Sequence, residues 1–373
     1  MTRLNALQSA LFGIATRRAV VDYLRMVALI LFILIAIAWT IDLAQYLPRI
    51  REKATAEGTP LWQILLPYLT YRSADMVARM LAMACFFGVF LAEIARRIRL
   101  ETVILTAAGA GPARMLSAVL IFGLMMGALN HMLETRWRPA AVSAQVQLGL
   151  GAYAGRFRTV WINEYAWFMS PDMAIRAQVL RADPPALRDV LIFTGLREPR
   201  LTDIYAVDHV RPAERPKDWY LEGVEQWDAG AGRATSQGVD DLILSLDLTP
   251  EELIHYGVPG FYLPTAPLYQ LASVQDPVTS TGAQVALWRR RTVWMLPGAL
   301  ALLAVCLSHL GYSGRQAQYA KLIALAVLGY AAVVSIKVLW AVGELGGLAP
   351  WLAASGSGLA ILALSAVLVW RKI

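Results

Sequence analysis

Residues 115–139 read MLSAVLIFGLMMGALNHMLETRWRP. The stretch 115–133 carries no charged residue and approaches the roughly 20 apolar residues needed to cross a ~30 Å hydrocarbon core. Glu134, Arg136, Arg138 and Pro139 then end it. The passage reads as a membrane span followed at once by an exit into water. Upstream lie two more such runs, 26–41, bracketed by Arg25 and Asp42, and a longer helix over 62–96 whose first half holds Arg72, Asp75 and Arg79. Downstream the apolar runs resume at 292–310, 324–340, interrupted by Lys337, and 350–370. Six spans, three on each side of a soluble insertion, put both termini on one face of the bilayer and the insertion on the other. The composition agrees: 57% hydrophobic and 16% charged residues, with a mean hydropathy of +0.50, are too apolar for a soluble chain of 373 residues. The expected domains are 1–139, with an N-terminal interfacial helix and three spans, 140–285, the insertion, and 286–373, the last three spans. Leu4, Leu7, Leu11 and Ile14 recur at helical spacing and predict the interfacial helix. Arg17 and Arg18 interrupt the apolar run there, so a cleavable signal is not expected.

Between 140 and 285 the texture changes to short segments with aromatic and β-branched residues, at 159–168, 187–194, 201–210 and 219–227, punctuated by turn-rich pieces such as Asp183-Pro184-Pro185 and Asp228-Ala229-Gly230. This spacing predicts an antiparallel β-domain. Neither G-x-S-x-G nor H-E-x-x-H occurs in it, and His209 and His255 stand alone. No G-x-x-x-x-G-K-[ST] loop occurs anywhere, so ATP hydrolysis by the P-loop route is excluded. Cys85 and Cys306 lie inside apolar runs, which leaves the insertion without a disulfide framework or a thiolate metal site. The chain therefore reads as a non-enzyme with no cofactor and no metal.

The formal charge is +7, and the basic residues flank apolar runs rather than interleaving with aromatic ones. That pattern points to lipid headgroups and away from nucleic acid. With the termini inside, the inner flanks hold eleven Lys and Arg against nine on the opposite short flanks, a weak positive-inside bias. An outer face this basic suits an anionic ligand. Arg72, Asp75 and Arg79 share one helix face, where one carboxylate leaves about one positive charge over. Arg136, Arg138, Arg289, Arg290, Arg291 and Lys337 fall near the same outer interface and complete a set of basic candidates for a phosphorylated lipid headgroup.

The loop between the second and third spans runs Glu101, Thr102, Val103, Ile104, Leu105, Thr106, Ala107, Ala108, Gly109. Its glutamate opens a short helix, where the dipole favours a carboxylate, and its glycine stops it. A short helix gripped between two spans is a handle that a partner can push.

Layout and loop together resemble the lipopolysaccharide-export permeases, the F and G subunits (LptF/LptG) of an ABC transporter. The loop is similar to the family's E-L-x-A-L-R-A-A-G element, with Thr106 where the family has a basic residue; Glu134 with Pro139 is similar to its E-x-x-x-P exit, and residues 346–354 resemble the approach to its sixth span. Asp42 and the loop after it look more like the G subunit than the F. The resemblance implies six transmembrane helices (3+3) in a Gram-negative inner membrane, with cytoplasmic termini and an inserted periplasmic antiparallel β-domain of β-jellyroll-like form. It implies extraction of lipopolysaccharide and its passage to a periplasmic β-jellyroll bridge protein, beside a second related permease subunit. A separate cytoplasmic ABC ATPase would receive Glu101 in its groove, with Val103, Ile104 and Leu105 filling it. Two other classes fit less well: a membrane scaffold or receptor that displays a β-domain, and a membrane-bound enzyme, which lacks any nucleophile–base pair.

Overall fold

The computed structural model describes residues 13–107, 112–153, 165–170, 172–180, 184–196, 202–215, 217–228, 237–239, 242–250, 253, 258–273, 277–313 and 316–372. Two compact units result: residues 1–151 with 285–373, and residues 152–284. Most of the candidate interfacial helix, including Leu4, Leu7 and Leu11, lies outside the described residues.

The first unit is helical. Helix α1 (Ile14–Glu57) has 44 residues, about 66 Å at ~1.5 Å per residue, and α2 (Leu61–Ile98) has 38. Both outrun a ~30 Å core. The first apolar run does not stop at Asp42, as its bracketing charges suggested; Asp42 is buried, because Tyr68 and Arg72 of α2 receive it, and the helix continues to a left-handed Gly58. Helix α3 (Glu101–Ala107) follows α2 after Leu100, whose φ of +58° reverses the chain within a residue. The third span is α4 (Pro112–Met132), which does not end at Glu134 either. A five-residue π-turn (Leu133–Trp137) carries it into α5 (Arg138–Leu148), so the chain stays helical past residue 140. The π-turn absorbs Pro139, which lacks the N–H an α-turn would use there.

The fourth span is broken. Helices α7 (Pro277–Thr292) and α8 (Met295–Leu310) meet at 61°, so the apolar run expected over 292–310 begins at a bend. Pro297 is the cause: its ring excludes the carbonyl of residue 293, four before it, and it donates no hydrogen bond. The third span satisfies the acceptors at this break, with Asn130 Nδ2 donating to the Val293 carbonyl at 3.0 Å and His131 Nδ1 lying 3.1 Å from that of Arg290. Irregular backbone at membrane depth needs such internal partners. Helices α9 (Tyr319–Glu344) and α10 (Pro350–Lys372) complete the unit, after a small hairpin of β8 (Tyr312–Ser313) and β9 (Gln316–Ala317). Among the described residues five helices are long and apolar enough to cross a membrane, and six spans result when the bent pair counts as one. Central among them is α8, with eleven of its 16 residues buried. Its Gly298 lies against Gly123 of α4, and side chains such as Leu81, Phe86 and Phe122 fill the surrounding core.

The second unit is an antiparallel sheet of seven described strands: β1 (Ala166–Met169), β2 (Met173–Leu180), β3 (Ala186–Thr194), β4 (Asp203–Pro212), β5 (Asp218–Asp228), β6 (Gln237–Val239) and β7 (Leu242–Ser245). The first six follow a meander and β7 returns to pair with β5. Strand β2 was missed by the sequence reading, because MAIRAQVL mixes alanine, arginine and glutamine with few β-branched residues. Trp219 anchors the core, fully buried, with its indole N–H donating to the Leu248 carbonyl at 2.9 Å among Leu187, Ile192, Val210 and Leu221. The short α6 (Thr265–Ala272) precedes α7.

Candidate functional site

Charge buried among apolar helices is expensive unless it is paired, so its location marks where the chain invests in geometry. Two clusters occur, one at each end of the helical unit.

At the α3 end, Glu101 is clasped by three arginines. Arg18 of α1 donates to it at 3.1 Å, Arg99 lies 3.3 Å away and Arg96 3.6 Å. Arg96 also pairs with Glu93 at 2.6 Å, and the Tyr23 hydroxyl of α1 donates to the same Glu93 oxygen at 2.5 Å. Asp22 meets Arg99 at 3.3 Å, and the Arg97 guanidinium lies 4.7 Å from the centre of the Tyr312 ring. The Glu101 side chain is only 17% exposed and turns back into its own chain, whereas the family resemblance implied that it faces a partner's groove. The outward surface of α3 is apolar instead: Val103 is 39% and Ile104 64% exposed. Thr102 and Leu105 are half-buried and Ala107 exposed, while Ala108 and Gly109 lie outside the described residues.

At the opposite end, the basic candidates divide. Asp75 receives Arg72 at 3.5 Å, Arg79 at 3.1 Å and Arg138 at 2.9 Å. Asp42 receives Arg72 at 2.7 Å and the hydroxyl of Tyr68. Glu134 receives Arg138 at 3.1 Å and Arg289 at 2.8 Å, and Arg289 also stacks 3.9 Å from the Trp340 ring centre. In these pairs three carboxylates face four guanidiniums, which tie α1, α2, the π-turn, α5 and α7 together with one positive charge in surplus. Arg138, Arg289 and Arg290 are buried, and Arg72 nearly so. Arg136, Arg291 and Lys337 are exposed and form no ion pair among the described residues, and Arg79 is half-exposed. Lys337 lies within electrostatic reach of Arg79, Arg138 and Arg289, so the outward cations share one neighbourhood with the buried ones.

Several members of these clusters were not singled out from sequence. Tyr23, Asp22, Glu93 and Tyr68 find their partners on other helices. The available signal was an acidic residue inside an otherwise apolar helix, as with Glu93 three residues before Arg96. Among the described residues no group of three or more His, Cys, Asp or Glu is arranged to hold a metal ion.

Among known protein families, the model of the lipopolysaccharide export system permeases LptF/LptG matches residues 20–371. It treats the two subunits jointly and does not separate F from G. Comparison with curated proteins finds no match.

Proposed function

This chain belongs to the lipopolysaccharide export system permease family LptF/LptG, and from that premise we propose that it is one permease subunit of an ABC transporter. A multi-pass membrane protein of a lipopolysaccharide export system, it is a transporter component and not an enzyme. In this reading it sits in the inner membrane with its termini and α3 in the cytoplasm and the β-domain in the periplasm. A separate ATPase binds α3 and supplies the energy. Extraction of a multi-acyl lipid costs ~0.8 kcal/mol per methylene, hence on the order of tens of kcal/mol, and this chain has no nucleotide loop to meet that cost.

The observation that carries the reading is α3 itself. A seven-residue helix, too short to persist alone, is fixed by Glu101 to three arginines and turns Val103 and Ile104 outward. Two bulky apolar side chains on a fixed helix suit a groove in a partner. The apolar span windows of α1 and α9 are only 11% and 22% buried, against 56% for α2, which suits lipid and a second permease on those faces. Headgroup phosphates then fall to the outward Arg79, Arg136, Arg291 and Lys337, while Arg72, Arg138, Arg289 and Arg290 set the frame behind them. The β-domain receives the lipid and hands it to a periplasmic bridge protein of similar fold, strand edge to strand edge.

Co-purification tests the reading. The tagged chain in mild detergent is expected to bring down an ATPase, and Ile104→Asp to lose it without losing the fold. A wild-type chain that retains no ATPase contradicts the proposal.

A further inference from the structure

The Tyr23–Glu93–Arg96 cluster lies behind α3 and touches none of the outward surface. It joins α3 to the base of α1 through an ion pair at 3.6 Å from Glu101 to Arg96 and two buried hydrogen bonds, Arg96 to Glu93 and the Tyr23 hydroxyl to Glu93. Glu93 and Arg96 are almost fully buried, with side-chain exposures of 1% and 8%. The cluster is also incomplete. Glu93 Oε2 and Arg96 Nε are buried atoms without a hydrogen bond, although buried polar groups are nearly always satisfied. Arg96 Nε stands 3.6 Å from Glu101 Oε2. A displacement of about 0.7 Å would bring that pair to the ~2.9 Å of a hydrogen bond. Arg96 thus sits between two carboxylates, bonded to Glu93 through Nη1 alone and one short step from closing on Glu101.

Helix α1 is built to feel that step. Its buried residues are confined to two stretches, from Thr16 to Val27 at the base and from Asp42 onward, and none falls between. At the base Gly88 lets α2 come against Val27, and Tyr23 packs edge-on to Phe122. A helix held at its base by an ionic cluster and uncovered along its middle moves as its base moves. Sliding α3 while the cluster stays intact would strand a charge in apolar surroundings, so the contacts move together.

Resting on the proposed role of α3 as the ATPase handle, we propose that Tyr23, Glu93 and Arg96 are positioning residues that transmit displacement of α3 to the first span. A push on α3 draws Arg96 with Glu101, and Glu93 with the Tyr23 hydroxyl bonded to it follows, so that the base of α1 shifts with α3.

The test uses the whole complex, purified with its ATPase and reconstituted in vesicles containing lipopolysaccharide, with lipid released per ATP hydrolysed as the readout. Tyr23→Phe and Glu93→Gln are expected to keep ATPase co-purification and hydrolysis within twofold of wild type, and to lower release per ATP at least fivefold. The double variant is expected to be no worse than the more impaired single, because Tyr23 and Glu93 act in one chain of contacts. Unchanged release per ATP in both single variants overturns the transmission while leaving the ATPase handle standing. A wild-type complex that holds no ATPase overturns the handle and the transmission together. If Glu93→Gln fails to assemble, Tyr23→Phe alone decides in the same two directions, since it removes a single hydroxyl.

Discussion

Glu134 shows how a single residue carries weight here. It accepts from Arg138 four residues on and from Arg289 on a distant helix, so its removal would leave two buried guanidiniums short of their counter-charge. Breaking a buried pair costs ~3–5 kcal/mol because the surviving ion stays desolvated. Glu134→Ala is expected to lower the unfolding free energy in detergent by about that amount, and Glu134→Gln, which keeps an acceptor, by less. Asp247 in the second unit makes a milder prediction. The Lys217 ammonium at 2.6 Å, followed by the Ser170 hydroxyl at 3.0 Å, holds its carboxyl below the usual carboxylate range. A carboxyl lowered by folding stabilises fully above its unfolded value of about 3.9 and loses that contribution as pH falls through the folded value. Thermal melts of wild type and Asp247→Asn are therefore expected to differ above about pH 5 and to converge in stronger acid.

At the scale of elements, the break between α7 and α8 and the close crossing of α4 with α8 decide the packing. Asn130 supplies the donor that the Val293 carbonyl loses to the bend. Asn130→Leu leaves that acceptor with only the Leu296 N–H at 3.3 Å, and a loss of about 1 kcal/mol in unfolding free energy is expected. At the crossing, a Cβ on Gly123 would stand 2.7 Å from the Cα of Gly298. Backbone cannot swing aside, so Gly123→Ala should separate the helices and cost ~1–3 kcal/mol, measured by the same denaturation. The positions of the spans were legible in the sequence because charge-free windows of sufficient length are rare outside membranes. Their ends were less so. Asp42 and Glu134 read as stop signals until their partners on other helices are known, and those partners lie 26 to 155 residues away. The bend at Pro297 could have been anticipated from proline chemistry, whereas β2 had no alternation strong enough to reveal it. The handle 101–109 was visible as a short helix; that its glutamate turns inward depended on Arg18, 83 residues upstream.

For the whole molecule, the two lightly buried helices and the two charge clusters describe one device. The cluster around Asp75 and Glu134 fixes the helices where outward cations gather, and the cluster around Glu101 fixes α3, which the proposed function gives to an ATPase. Helices α1 and α9 leave their apolar faces largely uncovered, and in the proposed function a second subunit and the lipid cover them. In the proposed function, ATP hydrolysed elsewhere moves lipid through this permease by way of α3. Lipopolysaccharide release from vesicles holding the complete complex, measured beside ATP hydrolysis for wild type and Glu101→Ala, tests it most directly. The variant, its anchor to Arg18, Arg96 and Arg99 gone, is expected to hydrolyse ATP still but to release lipid at least tenfold more slowly. Lipid release by Glu101→Ala at the wild-type rate would contradict it.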